Sequence, residues 1–252
     1  MDVLWVKVAA QVASFRRPLD HNYQRTLLLP PPTTLLGLAG AALGLSDREL
    51  WDTHSPVWEL RLSALALQKP GIARDMWTVM KIKNNKIAER SPYFRELLFF
   101  VRYVLLYGGP RKLLEDLRAA FADPVYPLSL GREDELITIE EIGLAEAVPG
   151  MARFRGTIIP GDFRQLHFRL PLRPAVRFEP PVVEILPLGF TLDEKGLRQP
   201  VASVPLTFLS LDLEIELPGR ELVFTFEALE GRSFTWVNLP SSPNQTSLSL
   251  SI

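Results

Sequence analysis

The order of extended and helical patterns in the first 145 residues constrains the fold more than any other feature of this sequence. Strand-like segments are rich in Val, Leu and Ile or alternate in polarity, and helix-like segments place apolar residues three and four positions apart. The extended segments are 3–15, 57–67, 94–109 and 124–143, and the helical segments are 33–45 and 110–121. This order of strand, helix, strand, strand, helix and strand predicts an α+β domain of ferredoxin-like (RRM-like) topology.

A basic segment between the second and third strands predicts a protruding hairpin over about residues 70–94. Asn84 and Asn85 stand at its centre, and Asn tolerates the positive φ angles that a tight turn needs. After residue 150 the chain consists of short strand-like segments and prolines. We therefore predict a ferredoxin-like domain at 1–148, with the hairpin as its thumb, and a β-rich region at 149–252 whose last stretch, SSPNQTSLSLSI, is a final strand or a loose tail.

The first helical segment begins after three prolines, where Thr33 or Thr34 can cap a helix. Its glycines are spaced by three and four residues and share one side of that helix: Gly37, Gly40 and Gly44. Because glycine costs about 1 kcal/mol in a helix interior, this set needs a packing or ligand reason.

Charge and composition narrow the classes of function. Residues 61–112 hold eleven basic and three acidic side chains, although the net charge of the chain is −1. Such a block indicates a polyanionic partner or a solvated face. The chain has no cysteine and only three scattered histidines, which argues against a metal centre, and we expect neither metal nor cofactor. It shows no membrane-spanning run and no signal-peptide pattern, so we expect a cytoplasmic protein with no membrane partner.

Several short motifs, in this order and at these separations, resemble the CRISPR-associated Cas5 family of the RAMP superfamily, a subunit of type I surveillance (Cascade) complexes. The motifs are Ser14-Phe15-Arg16, Gln24-Arg25-Thr26, the run from Pro31-Pro32-Thr33-Thr34 to Gly44, Arg95-Glu96-Leu97, and Tyr126-Pro127-Leu128-Ser129-Leu130-Gly131-Arg132. The proline–threonine–glycine helix start and the Leu-Gly-Arg turn are the most specific of them. The resemblance covers residues 1–145 and is nearest to the I-B and I-A branches.

The resemblance implies a non-catalytic role in antiviral defence. Such a subunit holds the 5′ handle of the guide RNA (crRNA) and caps a backbone of Cas7-type subunits. It also contacts the large Cas8-type subunit near the protospacer-adjacent motif and meets target DNA through the complex. Sequence specificity for the target would then come from guide pairing.

Candidate RNA-binding residues combine cations for phosphates with aromatic rings on which bases stack. They are Arg16, Arg17, Tyr23, Arg25, Thr33, Thr34, Gly37, Trp77, Lys81, Lys83, Lys86, Arg90 and Arg132.

Each of these residues also has a purely structural interpretation. Trp77 can close a small core beneath the hairpin, and the threonines can simply cap the helix. Gly37 can serve close packing, and Arg132 can pair with Glu133 or Asp134. A second run of arginines partly alternates with apolar residues, as on one exposed sheet face that contacts DNA or the large subunit, or is simply solvated: Arg153, Arg155, Arg164, Arg169, Arg173 and Arg177.

Catalysis is the main alternative. The I-C branch of the family resembles an endoribonuclease in which Tyr, Lys and His converge on the reacting groups. Here the adjacent Lys-His pair of that branch is absent, and Tyr23 beside His21 is a partial match that needs Lys81 or Lys83 to approach. The acids of DELITIEE are interpreted as a solvated face. We therefore predict no catalysis and leave open a structural scaffold; a standalone RRM would need an RNP-type Gly-Phe pattern that FFVRYVLLY does not have.

Overall fold

The computed structural model describes residues 1–170 and 179–240. The predicted final strand or tail, together with Arg173 and Arg177, lies outside the described residues. The strands are β1 (Asp2–Ala13), β2 (Tyr23–Gln24), β3 (Arg61–Ala66), β4 (Gly71–Lys83), β5 (Lys86–Gly108), β6 (Ile137–Glu146), β7 (Val148–Pro149), β8 (Arg153–Phe154), β9 (Ile158–Pro160), β10 (Val182–Leu186), β11 (Gly189–Leu192), β12 (Arg198–Val201), β13 (Val204–Phe208), β14 (Ile215–Glu216), β15 (Val223–Thr225), β16 (Phe234–Thr235) and β17 (Val237–Asn238). The α-helices are α1 (Pro32–Leu43), α2 (Asp47–Leu50) and α3 (Arg111–Ala122), and short 3-10 helices lie at Pro56–Glu59, Phe163–Gln165 and Glu227–Leu229.

The main sheet has the strand order β17-β3-β5-β1-β6. β1 is central and pairs antiparallel with β5 on one side and with β6 on the other. α1 lies between β1 and β3 in the chain, and α3 between β5 and β6. The described N-terminal part therefore carries the predicted order of strand, helix, strand, strand, helix and strand, with all neighbouring strands of this path antiparallel.

Both faces of β1 are buried, which explains why its sequence alternates only in part. Leu4, Val6 and Val8 belong to the core under α1 and α3. Val3 and Trp5 point to the opposite face and belong to a second core, which the C-terminal region closes with an aromatic cluster: Phe226, Phe234 and Trp236. A strand covered on both faces reads as a nearly continuous apolar run.

The basic hairpin forms as predicted. β4 pairs with β5 from Gly71 opposite Phe99 to Lys83 opposite Lys86, and Asn84 with Asn85 makes the turn. Both asparagines have positive φ, 51° and 56°, the requirement of a type I′ hairpin turn. The returning strand continues into the main sheet as β5, with Phe100 at the junction in the left-handed region at a φ of 53°.

Three local predictions are wrong in detail. The predicted threonine cap of α1 is absent, because Pro31 is the N-cap and Pro32 begins the helix. The segment 57–67 starts in a 3-10 helix and becomes a strand only at Arg61. Most of 124–143 is a loop that becomes a strand at Ile137.

The loop before β6 is held by the first helix. The amides of Val125 and Tyr126 donate to the carbonyls of Ala42 and Ala41, at 3.1 and 3.2 Å. Both carbonyls lie in the last turn of α1, where the i+4 amide of a continuing helix is missing, and the Ala41 carbonyl also accepts from the Gly44 amide at 3.3 Å. The segment therefore follows the helix instead of pairing with a strand.

The described part of the C-terminal region contains short strands in small sheets, with the orders β10-β13-β9, β11-β12, β14-β8 and β16-β15-β7. It also supplies β17, which extends the main sheet beside β3. The described arginines of the second basic run lie on several separate elements, so the expectation of one exposed sheet face is wrong. Within the described residues, no helix is both long and apolar enough to span a membrane.

Candidate nucleic-acid interface

A cleft of about 420 Å³ opens where the end of β1, the start of α1, the base of the hairpin and the loop before β6 meet. It collects residues that are far apart in the chain. Its lining residues are Ser14, Phe15, Arg16, Gln24, Arg25, Thr26, Pro31, Thr33, Thr34, Trp77, Arg95, Glu96, Gly131 and Arg132. Every motif that carries the family resemblance thus contributes side chains to one surface, and the hairpin adds Trp77.

Trp77 lies between strand residues of the hairpin and the Leu-Gly-Arg loop. The guanidinium carbons of Arg95 and Arg132 are 5.3 and 5.0 Å from its ring centroid. Arg95 is fixed in turn by Asp75, whose carboxylate accepts from Nε at 2.7 Å. The indole Nε1 is buried without a hydrogen-bond partner among the described residues. Trp77 therefore contacts two guanidinium groups. The sequence led us to expect a ring that stacks on a base or closes a small apolar core, and neither interpretation includes these cations.

Glu135 organises the loop that presents Arg132. Its carboxylate accepts hydrogen bonds from the amide and hydroxyl of Ser14, at 2.8 and 2.7 Å, and from the amide of Arg132 at 3.0 Å. The side chain is 5% exposed, and burial raises the pKa of Glu135 against the effect of these donors. The prediction that the acidic side chains of the DELITIEE segment form a solvated face is therefore wrong for Glu135.

Gly131 permits the close approach that this arrangement needs. Its φ is +115°, and a Cβ there would lie 2.0 Å from the carbonyl oxygen of Ser14. Only glycine fits at such a distance. The Leu-Gly-Arg motif thus packs its backbone against the end of β1. The sequence analysis did not identify Glu135 as a site residue. Its local signal is its position three residues after Arg132, since the Glu135 amide donates to the Arg132 carbonyl at 3.1 Å and closes a turn.

The polar loop before α1 is braced by ion pairs. Arg25 pairs with Asp20 at 2.8 Å and holds the pKa of that carboxyl below its usual value. Arg17 pairs with Glu184 of the C-terminal region and is not among the residues that line the cleft.

Tyr23 lies beside the cleft. Its hydroxyl donates to Glu96 at 2.8 Å, and this bond raises the pKa of Tyr23. The guanidinium of Arg74 covers its ring at 5.6 Å from the centroid.

The remaining predicted residues separate from the cleft. Lys81, Lys83, Lys86 and Arg90 are exposed near the hairpin tip, and Lys81 pairs with Glu89 at 2.8 Å. Gly37 is partly exposed on α1, and a Cβ there would meet no atom within 4 Å. The packing explanation is therefore wrong for Gly37, whereas at Gly40 a Cβ would lie 2.8 Å from Leu50.

Arg132 also approaches Asp134, at 3.8 Å, a weak form of the predicted pairing. No group of three or more His, Asp or Glu side chains among residues 1–170 and 179–240 is arranged to hold a metal ion. His21, His54 and His167 are all exposed. The arrangement is thus a cationic cleft with aromatic and hydroxyl walls, suited to a flexible anionic chain.

Two solved structures share the fold of this chain. A chain in a structure described as "CRISPR RNA-guided surveillance complex" is 16% identical, over 84% of this chain and 92% of that one, with a TM-score of 0.55. A second, described as "Crystal structure of a CRISPR protein from Archaeoglobus fulgidus", is 13% identical over 95% and 100%, with a TM-score of 0.51. A third, "Crystal structure of Cas protein", is 23% identical with a TM-score of 0.37; the match covers 53% of this chain and 58% of that one.

Sequence comparison identifies the family. No curated protein matches the chain. The model of the family described as CRISPR-associated protein (Cas_Cas5) matches residues 3–178, which is well over half of the chain and includes every motif that lines the cleft. This chain therefore belongs to the CRISPR-associated Cas5 family.

Proposed function

We propose that this protein is a non-catalytic subunit of a type I CRISPR surveillance complex that binds the 5′ handle of the crRNA. The observation that carries the proposal is the convergence of Arg16, Arg25, Thr33, Thr34 and Arg132 on one cleft beside Trp77. Phosphates of single-stranded RNA need cations and hydrogen-bond donors, and the cleft provides both.

The proposed fold is a ferredoxin-like domain at 1–148 with a thumb hairpin, followed by a β-rich region at 149–252. The sheet order β3-β5-β1-β6, with a helix in each of the two crossovers, supports the first part. β5 supports the thumb, because the same strand pairs with β4 in the hairpin and with β1 and β3 in the main sheet.

The hairpin tip supplies a second set of contacts. Lys83, Lys86 and Arg90 are exposed, and a flexible RNA that leaves the cleft along the hairpin would meet them as point charges. Gly37 leaves open space on the exposed side of α1, where an RNA backbone can approach. Arg17 and Tyr23 do not line the cleft. Arg17 pairs with Glu184, and Tyr23 donates a hydrogen bond to Glu96, which does line it.

The proposed partners follow from the family and its I-B/I-A-like motifs. The subunit would cap a row of Cas7-type subunits, contact a Cas8-type large subunit near the protospacer-adjacent motif, and meet target DNA through the assembled complex in the cytoplasm. The surveillance-complex structure with the same fold supports assembly of this kind.

A non-catalytic role is supported by the environment of Tyr23. A tyrosine that acts as a general base must lose its proton, but the hydroxyl of Tyr23 donates to Glu96, which raises its pKa. His21 is exposed and its ring has no hydrogen-bond partner among the described residues.

The test is retention and cleavage of repeat RNA on one gel, with the full chain alone and with its Cas7-type subunit. We expect intact RNA to be retained in a handle-dependent way and to be released by the triple variant Lys81→Ala, Lys83→Ala and Lys86→Ala. The control is Lys112→Ala, an exposed lysine on α3. Metal-independent cutting at one position that His21→Ala abolishes would instead establish an endoribonuclease. Absence of RNA binding in both states would leave a structural scaffold.

A further inference from the structure

We propose that the cleft binds a phosphate group of the RNA through Arg16 and Arg132, and that Trp77 holds guanidinium groups in place instead of stacking on a base. The inference rests on the proposed function, since it names the part of the RNA that the same cleft takes. It also assigns different roles to arginines that look equivalent in the sequence.

The ring of Trp77 contacts cations of the protein itself. Two guanidinium groups, those of Arg95 and Arg132, already lie within 5.3 Å of its centroid. The electron-rich face of an indole attracts cations, and guanidinium groups stack on it well. A base that stacked where either guanidinium lies would have to displace it, so the contact favours holding the arginines at the cleft wall.

The arginines of the cleft differ in whether a carboxylate occupies their hydrogen-bond donors. Arg25 is engaged by Asp20 at 2.8 Å, and Arg95 by Asp75 at 2.7 Å. In contrast, the nearest carboxylate to Arg132 is 3.8 Å away, beyond hydrogen-bond distance, among the described residues.

Arg16 is in a similar position. It is exposed, and its guanidinium donates to the backbone carbonyl of Asp20 and to no carboxylate among the described residues. Arg16 and Arg132 therefore present planar sets of donors to the cleft, and such sets match the oxygens of a phosphate.

Two threonines and a glutamate also line the cleft. Thr33 and Thr34 line the cleft within the first turn of α1. The start of the helix carries partial positive charge and adds to the arginines in favouring an anion. Glu96 also lines the cleft, but its two oxygens accept from the Tyr23 hydroxyl at 2.8 Å and the Thr26 amide at 3.2 Å. Glu96 keeps its negative charge, but these donors hold its oxygens, and four arginines line the same cleft against this one carboxylate: Arg16, Arg25, Arg95 and Arg132.

The test is a charge-removal scan in the RNA-retaining assembly, with the full chain. Repeat RNA carries one neutral 2′-O-methyl methylphosphonate linkage at a time, and a 2′-O-methyl phosphodiester at the same position is the control. We expect one linkage to weaken binding about 10- to 100-fold, the effect of losing a charge-assisted hydrogen bond. In Arg132→Ala or Arg16→Ala the effect of that linkage should be smaller, because one of the two guanidinium groups remains, and in the double variant it should vanish. In Arg118→Ala, an exposed arginine on α3, its full effect should remain.

Two further arms complete the design. RNA with a 5′-phosphate is compared with RNA with a 5′-hydroxyl. If the 5′-phosphate strengthens binding and Arg132→Ala removes that gain in affinity, the site takes the terminal phosphate. If an internal linkage is the sensitive one, the site takes a phosphodiester. Abasic substitution at each position tests Trp77. A flat methylphosphonate scan overturns the phosphate site, and an abasic loss that disappears in Trp77→Ala overturns the role assigned to Trp77.

Arg132→Lys guards against misfolding, because it keeps the charge but not the planar fork and should bind between the wild type and Arg132→Ala. If the wild-type assembly retains no RNA, the proposed function itself fails, and that result differs from a flat scan on bound RNA.

Discussion

Replacement of Glu135 by alanine tests how the cleft is built. The carboxylate accepts three hydrogen bonds, from the Ser14 amide, the Ser14 hydroxyl and the Arg132 amide. At about 1 kcal/mol net for each bond, Glu135→Ala should lower the free energy of unfolding by about 3 kcal/mol. The cost is not higher because the neighbouring cleft can admit water to the exposed donors.

The matched variant is Glu135→Gln. One oxygen of Glu135 accepts both amides, so the carbonyl of glutamine can occupy that position, and the Ser14 hydroxyl can reverse and accept from the new amide group. Hydrogen bonds to a neutral carbonyl are weaker than those to a carboxylate, but the variant no longer buries a charge, so it should stay within about 1 kcal/mol of the wild type.

Urea denaturation measures both variants. With a slope of about 3 kcal/mol per molar, the alanine variant should lose about 1 M in its midpoint. Equal destabilisation by alanine and glutamine would refute the hydrogen-bond reasoning, and so would an alanine variant as stable as the wild type.

The pH dependence of stability gives an independent check on Glu135. Burial raises the pKa of Glu135 in the folded protein above its usual 4.5. The folded state then holds a proton that the unfolded state releases, so stability from this group is greatest below pH 4.5 and falls as the pH rises through the folded pKa. Glu135→Gln should lack this fall. A parallel pH profile for the two proteins would contradict the assignment.

Three further substitutions test separate features. Gly131→Ala should destabilise the fold by about 2 kcal/mol or more, because a Cβ meets backbone 2.0 Å away at a φ of +115°, and a thermal shift of less than a degree would contradict this. Gly37→Ala should raise stability by about 0.5–1 kcal/mol from helix propensity with open space around it, whereas Gly40→Ala should gain nothing because its Cβ meets a neighbouring side chain at 2.8 Å; equal effects in urea would refute the distinction. Asp20→Asn should remove stability that is present above pH 3.8 and lost as the pH falls through the lowered folded pKa, so a pH titration of unfolding should show the wild-type advantage vanishing in acid; a constant difference would count against the pair with Arg25.

Local chemistry was enough to predict the elements whose geometry depends on near neighbours. α3 is predicted by apolar residues at helical spacing, and Leu114, Leu117 and Phe121 of this set are buried as expected. The hairpin turn follows from two asparagines that accept positive φ. The start of α1 was harder, because a proline can replace a capping side chain when its own φ is already helical.

The sequence by itself determined the order of the main strands and helices and the hairpin, since these depend on patterns within ten or twenty residues, and the family, since its short motifs keep their order along the chain. Only the tertiary structure decided that Glu135 is buried, that Trp77 meets two arginines, and that the C-terminal region closes the second face of the sheet. The physical reason is sequence separation: Ser14 and Glu135 are 121 residues apart, and the hydrogen bonds that join them form only when β1 and the loop before β6 are already side by side.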